Sequence, residues 1–246
     1  MNPEQPNPPV CLVVGAGDGL GGALARRFAR GGYRVCVARR NKAKLEPLLA
    51  RIAAAGQSAF PLALDARKPE QVAEAFAQIE TEIGDLAVVI FNAGGNVRAA
   101  IVETTEQQYF KTWEQCAFAG FLVGREAARR MLPRGRGSIL FTGATASLRG
   151  SARYAAFAGG KHALRALAQS MARELGPAGI HVAHVVIDGV IKDSPAPAEM
   201  LAALSEKGEN ALLSPDDIAE NYWHLHHQPR SSWTHELDLR PWLEHW

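Results

Sequence analysis

Residues Val10 to Gly22 read Val-Cys-Leu-Val-Val-Gly-Ala-Gly-Asp-Gly-Leu-Gly-Gly, and no other stretch constrains the fold as tightly. The apolar run Cys11 to Val14 predicts a short strand buried on both faces. Gly15, Gly17, Gly19, Gly21 and Gly22 then turn the chain into a helix starting near Leu20. A strand, a glycine turn and a helix N-terminus bring free backbone N–H groups and the positive end of the helix dipole together. Without Cβ atoms in the way, a phosphate group can approach them closely. Glycine spacing alone serves a tight joint as well as an anion cradle, so the rest of the chain has to decide.

The rest alternates. Leu20, Ala23, Leu24 and Phe28 recur at helical spacing up to Gly31-Gly32, and Tyr33 to Ala38 predicts a second strand. Leu45, Leu48, Leu49 and Ile52 mark a helix ending near Gly56, before a strand from Ala59 to Leu64. Pro69 opens a helix with Val72, Phe76, Ile79 and Ile83 on one face. Strands follow at Ala87–Phe91, Ser138–Thr142 and Ile180–Ile187, with a further one at Thr234–Leu239. Between them lie helical stretches from Glu106 to Leu132, broken by Gly120 and Gly124, and from Ala152 to Leu175, with a last helix opened by Pro215. This pattern predicts an α/β fold, a Rossmann-type, doubly wound parallel sheet of about seven strands flanked by helices. One domain is expected over 10–246, with residues 1–9 a loose leader and a mobile substrate loop near 192–210.

With 47% apolar and 21% charged residues and a formal charge of +2, the chain carries no electrostatic signature of a nucleic-acid or membrane partner. No apolar run approaches the ~18 residues that cross a bilayer, and the first residues lack the pattern of a signal peptide. Cys11, Cys36 and Cys116 are odd in number and set among apolar neighbours, which predicts free core thiols and a cytoplasmic protein.

Arg39-Arg40 stand at the end of the second strand, where a Rossmann unit reads the adenosine ribose. An acid there would accept from a 2′-hydroxyl. Two arginines suit a 2′-phosphate instead, so NADP(H) is expected in preference to NAD(H). Asp18 fits beside phosphates only if its carboxylate points outward.

From about Val10 to Leu239 the chain resembles the short-chain dehydrogenase/reductase family. Gly15-x-x-x-Gly19-x-Gly21 is similar to that family's glycine motif, with Val14 in place of the usual Thr. Leu64-Asp65 matches the acid that meets the adenine amino group, and Asn92-Ala93-Gly94 the turn that lines the cofactor. Asp188-Gly189 falls on the Pro-Gly turn beside the nicotinamide. The resemblance implies that Gly15, Gly19, Leu20 and Gly21 hold the cofactor with Arg39, Arg40, Asp65 and Ala66. Asn92, Ala93, Gly94, Lys161, Gly189 and Ile191 complete that set. It also implies a homodimer or homotetramer and a small-molecule substrate.

The catalytic motifs diverge. The family's Tyr-x-x-x-Lys becomes Phe157-Ala-Gly-Gly-Lys161. The usual Ser aligns with Ala144 and the usual Asn with Ala117. A positioned acid or base contributes ~10²–10⁴ in rate, and an oxyanion donor ~10²–10³, so the standard machinery is disabled. Tyr154, seven residues before Lys161, could supply a phenol from one turn earlier, and Thr142, Thr145 and Ser147 could donate to a substrate oxygen. Lys161 is read as a cofactor-ribose ligand. Gly159-Gly160 are read as allowing close approach to a helix or a ligand.

Three functions remain: an oxidoreductase on a small carbonyl or alcohol with a non-standard proton donor, a silent dinucleotide sensor, or a non-redox isomerase or cyclase. The alanines and Phe157 predict an apolar substrate pocket. His224, His226, His227, His235 and His245 lack the carboxylate or thiol neighbours of a metal site, so none is assigned. Trp223, Trp233, Trp242 and Trp246 predict one aromatic surface near the C-terminus.

Overall fold

The computed structural model describes residues 8–192, 194 and 198–243. The putting-together of the sheet begins with β1 (Val10–Val14), α1 (Leu20–Arg30), β2 (Arg34–Arg39), α2 (Glu46–Ala54) and β3 (Ala59–Ala63). The chain continues through α3 (Pro69–Gln78), β4 (Leu86–Phe91), α4 (Glu106–Trp113), α5 (Ala119–Met131) and β5 (Gly137–Thr142). Then come α6 (Ala155–Leu175), β6 (Ile180–Ile187), α7 (Ala198–Ser205), α8 (Pro215–His226) and β7 (Glu236–Leu239). All seven strands are parallel, in the order β3-β2-β1-β4-β5-β6-β7. The order reverses between β1 and β4, and a ligand crevice belongs at the carboxyl ends of the strands there.

Strand alternation builds two cores. Val10, Leu12 and Val14 point to the face covered by α3, α5 and α6. Cys11 and Val13 point to the face covered by α1, α2 and α8. Each central strand is covered on both sides and therefore reads as an unbroken apolar run. Cys11, Cys36 and Cys116 are free and buried, as expected. No helix among the described residues is long and apolar enough to cross a membrane.

Two expectations change. The helical stretch after Glu106 is broken by a π turn at Glu114–Phe118, not at its glycines. Gly120 and Gly124 serve packing: a Cβ on Gly120 would lie 2.4 Å from Leu164 Cδ1, and one on Gly124 3.0 Å from Phe141 Cζ. They let α5 lie close against α6 and the sheet. The tryptophans also do not form one surface. Trp223 packs edge-on against Phe28 and Tyr33, Trp233 stacks on His181, and Trp242 is exposed. Trp246 and His245 lie outside the described residues, as do residues 1–7 of the expected leader and part of the 192–210 loop. His226 is spent on packing, with its ring nitrogens bonded to Tyr33 Oη at 2.7 Å and Ser138 Oγ at 2.8 Å.

Candidate functional site

The glycine turn is locked from behind by the Asn92-Ala93-Gly94 turn. Gly15 has φ +91°, and a Cβ there would come within 2.6 Å of Ala93 N, so only glycine fits. Asn92 donates from Nδ2 to Gly15 O at 3.1 Å, and from its backbone N to Val14 O at 2.8 Å. Gly21 and Gly22 are required by close backbone contacts, since added Cβ atoms would lie 2.4 Å from Gly15 O and 2.2 Å from Gly17 O. Gly19 is different. It stands at the N-cap of α1 with no side-chain cap, and a Cβ there would meet nothing within 4 Å. Packing does not demand glycine at that position; Gly22 N and Ala23 N already donate to Gly19 O, so the N–H groups of Leu20 and Gly21 are the ones a ligand could use. Leu20 is buried in the first turn behind it. Asp18 points outward, 3.5 Å from Arg51, which removes the electrostatic objection.

A cleft opens beside this turn, with Gly15, Arg40, Asp65, Ala66, Ala93 and Gly94 on its walls. Arg39 reaches over the turn, with Nη1 3.6 Å from where a Gly17 Cβ would stand and donating to Lys44 O at 3.1 Å. Arg40 is exposed at the rim. At the carboxyl end of β2, Arg40 thus lines the cleft and Arg39 lies over the glycine turn beside it. Asp65 is less free than its motif suggests. Arg67 grips both carboxylate oxygens, from Nε at 2.8 Å and Nη2 at 2.6 Å, and this holds Asp65 below the usual carboxylate range.

Lys161 projects from α6 toward Gly94, on the turn that lines the cleft. It is buried, donates from Nζ to Thr142 O at 2.7 Å, and lies 3.5 Å from where a Gly94 Cβ would be. Burial pushes its pKa down. One helical turn earlier, the Phe157 ring centre is 5.9 Å from Nζ, where an acid-base residue would stand. Ala117 is buried, and the neighbouring Cys116 turns its Sγ toward Gly95 O, 3.7 Å away. Gly159 and Gly160 admit the Tyr109 hydroxyl and Cys116 Cβ, so the close approach they allow is to the α4 segment of the same chain.

Tyr154 caps α6 instead of lying within it, with φ −118°, and its ring sits beside the Arg98 guanidinium. The shared helix face expected for Tyr154 and Lys161 therefore does not form in regular helical geometry. Of the three loop hydroxyls, Thr142 bonds to Tyr222 Oη at 2.7 Å, and Ser147 Oγ accepts from Ala144 N at 3.1 Å. Thr145 donates to the buried carboxylate of Asp188. Gly189 sits against Pro241, and Ile191 bridges to Leu213, so both lie by the ends of β6 and β7, away from the walls formed by Gly15 and Asp65.

Arg67, Arg240 and Tyr222 escape the sequence reading, and Asp188 was read there only as part of a turn. All four acquire their roles from partners brought close by the fold. The only sequence hint was the Asp65-x-Arg67 spacing and an acid at Asp188 beside Gly189.

A sequence profile of the short chain dehydrogenase family matches residues 9–218. A short-chain dehydrogenase from Rhodopseudomonas palustris superimposes with TM-score 0.82 and 44% identity, covering 96% of this chain and 100% of its own. An alcohol dehydrogenase from the archaeon Thermococcus sibiricus, complexed with 5-hydroxy-NADP, gives TM-score 0.83 and 26% identity over 96% of this chain and 98% of that one. The 3-oxoacyl-acyl-carrier-protein reductase MabA of Mycobacterium avium is 30% identical over 82% of this chain and 72% of its own length. With the glycine turn, the Asn92 turn and Lys161 in place on a seven-stranded parallel sheet, the chain belongs to the short-chain dehydrogenase family.

Proposed function

We propose that this protein is an NADP(H)-dependent oxidoreductase acting on a small, largely apolar alcohol or carbonyl compound. The observation that carries the reading is the open space at Gly19, at the start of α1, together with Arg39 beside Gly17 and Arg40 on the wall of the adjoining cleft. An anion fits the free N–H groups of α1, and a 2′-phosphate fits two guanidinium groups. The bound nicotinamide would supply or accept a hydride. Gly15, Leu20 and Gly21 would shape the pyrophosphate cradle, and Asp65 and Ala66 would border the adenine. Asn92, Ala93 and Gly94 would form the floor, and Gly189 and Ile191 the nicotinamide end. Lys161 would bond the ribose hydroxyls. Support for NADP comes also from the Thermococcus enzyme, whose structure holds an NADP derivative.

Phe157, Ala144 and Ala117 favour a second reading, a silent dinucleotide binder. Fluorescence titration with NADPH and NADH tests the first step; tighter binding of NADPH is expected, and equal affinity would overturn the assignment of Arg39 and Arg40. Turnover of carbonyl probes by the parent supports the oxidoreductase. Turnover only after Ala144→Ser with Phe157→Tyr supports the silent binder.

The expected assembly is a homodimer or homotetramer in the cytoplasm. The tilted and stacked rings of Phe110, Trp113, Phe118 and Phe121 along α4 and α5 support association, because three of them are more than a third exposed. Helix α7 would border the substrate.

A further inference from the structure

We propose that Thr145 and Asp188 form a proton relay that receives the hydroxyl of an alcohol substrate, in place of the phenol missing at position 157. This rests on the oxidoreductase reading and assigns its acid-base group. Thr145 follows Ala144 in the loop at the carboxyl end of β5, and Asp188 directly follows β6. Both therefore stand at the edge of the sheet where doubly wound folds take their ligands. Thr145 is half-buried, whereas Asp188 is only 4% exposed. The pair links the hydroxyl of a half-buried residue to a buried carboxylate.

The direction of the bond matters. Thr145 Oγ1 donates its proton to Asp188 Oδ1, which leaves the lone pairs of Oγ1 to accept from a substrate hydroxyl. Arg240 lies 3.1 Å from the other carboxylate oxygen and is itself held by Asp238 at 2.5 Å. Asp188 is further fixed by its backbone N–H, which donates to Leu239 O at 2.8 Å. A proline at this position could not make that bond. The competing hydroxyls of Thr142 and Ser147 are engaged inside the protein, and Tyr154 stands at the helix cap beside Arg98.

In alcohol oxidation a bound NADP+ would supply the acceptor for the hydride, the substrate C–H bond breaking with its electron pair. The substrate O–H proton moves to Thr145 Oγ1 as the Thr145 proton moves to Asp188 Oδ1. The alcohol leaves as a carbonyl compound, and Asp188 later returns its proton to water. Thr145 touches the substrate, Asp188 takes the proton through it, and Arg240 positions Asp188.

The test uses the full chain with NADP+, 1-phenylethanol as the oxidisable probe, and 2,2,2-trifluoroethanol as a binding probe followed by 19F NMR. Thr145→Val is expected to weaken trifluoroethanol binding at least tenfold and to lower kcat by ~10²–10⁴. NADP+ affinity should stay within about twofold, because a hydroxyl-to-methyl change leaves the cradle at α1 untouched. Thr145→Ser should restore both readouts. Asp188→Asn should retain trifluoroethanol binding while lowering kcat, a split that a merely structural role would not produce. If Thr145→Val binds and turns over like the parent, the relay is wrong and the oxidoreductase reading stands. If the parent binds NADP+ but neither trifluoroethanol nor 1-phenylethanol, the relay and the redox reading fall while nucleotide binding stands. If it does not bind NADP+, all three fall.

Discussion

Gly19 and Gly21 are two residues apart in sequence yet answer to different forces. Gly21 is pinned by the backbone of Gly15, so Gly21→Ala forces the turn itself to shift. Gly19 faces open space, so an added methyl meets no neighbour, and Gly19→Ala is expected to lower the melting temperature less than Gly21→Ala does. The same change should weaken NADPH binding by about tenfold or more, since the added methyl enters the space a pyrophosphate would take. Thermal melts and fluorescence titration of one protein separate the two effects. A loss of melting temperature with unchanged affinity would sink the cradle. At the other end of the cleft, Arg39→Ala and Arg40→Ala together should weaken NADPH by about 10²–10⁴-fold and leave NADH nearly unchanged, because each of two charge-assisted bonds contributes ~1.5–3 kcal/mol.

At the scale of elements, the close packing of α5 and α6 depends on missing side chains. Gly120→Ala would drive a methyl to 2.4 Å from Leu164 Cδ1 and 3.3 Å from Phe91 Cε1. Overpacking of this kind costs ~1–3 kcal/mol. The better helix propensity of alanine returns up to ~1 kcal/mol. A net loss of stability in urea unfolding is therefore expected, and a gain would show that Leu164 moves aside freely. The periodicity around Glu106–Leu132 shows a helix in the sequence, but it cannot show the π turn at Glu114–Phe118. That turn is a change of hydrogen-bond register, selected where the helix meets α6 at Gly160 and Thr112. Strand positions were legible because both faces of a parallel sheet demand apolar residues.

For the molecule as a whole, buried imidazoles set the acid limit of stability. Burial lowers His184 to about 4, against Glu236 and near Lys161 and Arg165, and lowers His226 to about 3. The unfolded chain protonates both near pH 6.5, so between that pH and about 4 it binds more protons than the native state. Stability is therefore full above 6.5 and falls with acid by about 1.4 kcal/mol per pH unit for each imidazole. His184→Asn should flatten part of that slope, at some cost at neutral pH, when ΔG is measured by urea unfolding from pH 7 to 4.5. An unchanged slope would remove His184 as a source. Association is a second property at this scale. Phe110→Glu with Phe121→Glu is expected to shift the protein toward monomer in light scattering, and an unaltered mass would move the interface elsewhere.

The sequence by itself determined the strand order of chemistry along the chain, the glycine turn, the paired arginines, Lys161 and the loss of the family phenol at Phe157. These are legible because each is a local requirement of backbone geometry, periodicity or residue type at a fixed spacing. Only the tertiary structure decided which polar groups are left for a ligand. It consumed Thr142 and Ser147 internally, closed Asp65 with Arg67, placed Tyr154 at a cap, and joined Thr145 to Asp188 across 43 residues. Hydrogen bonds between distant segments depend on strand register and loop closure, and no local pattern of residues specifies which donor will meet which acceptor.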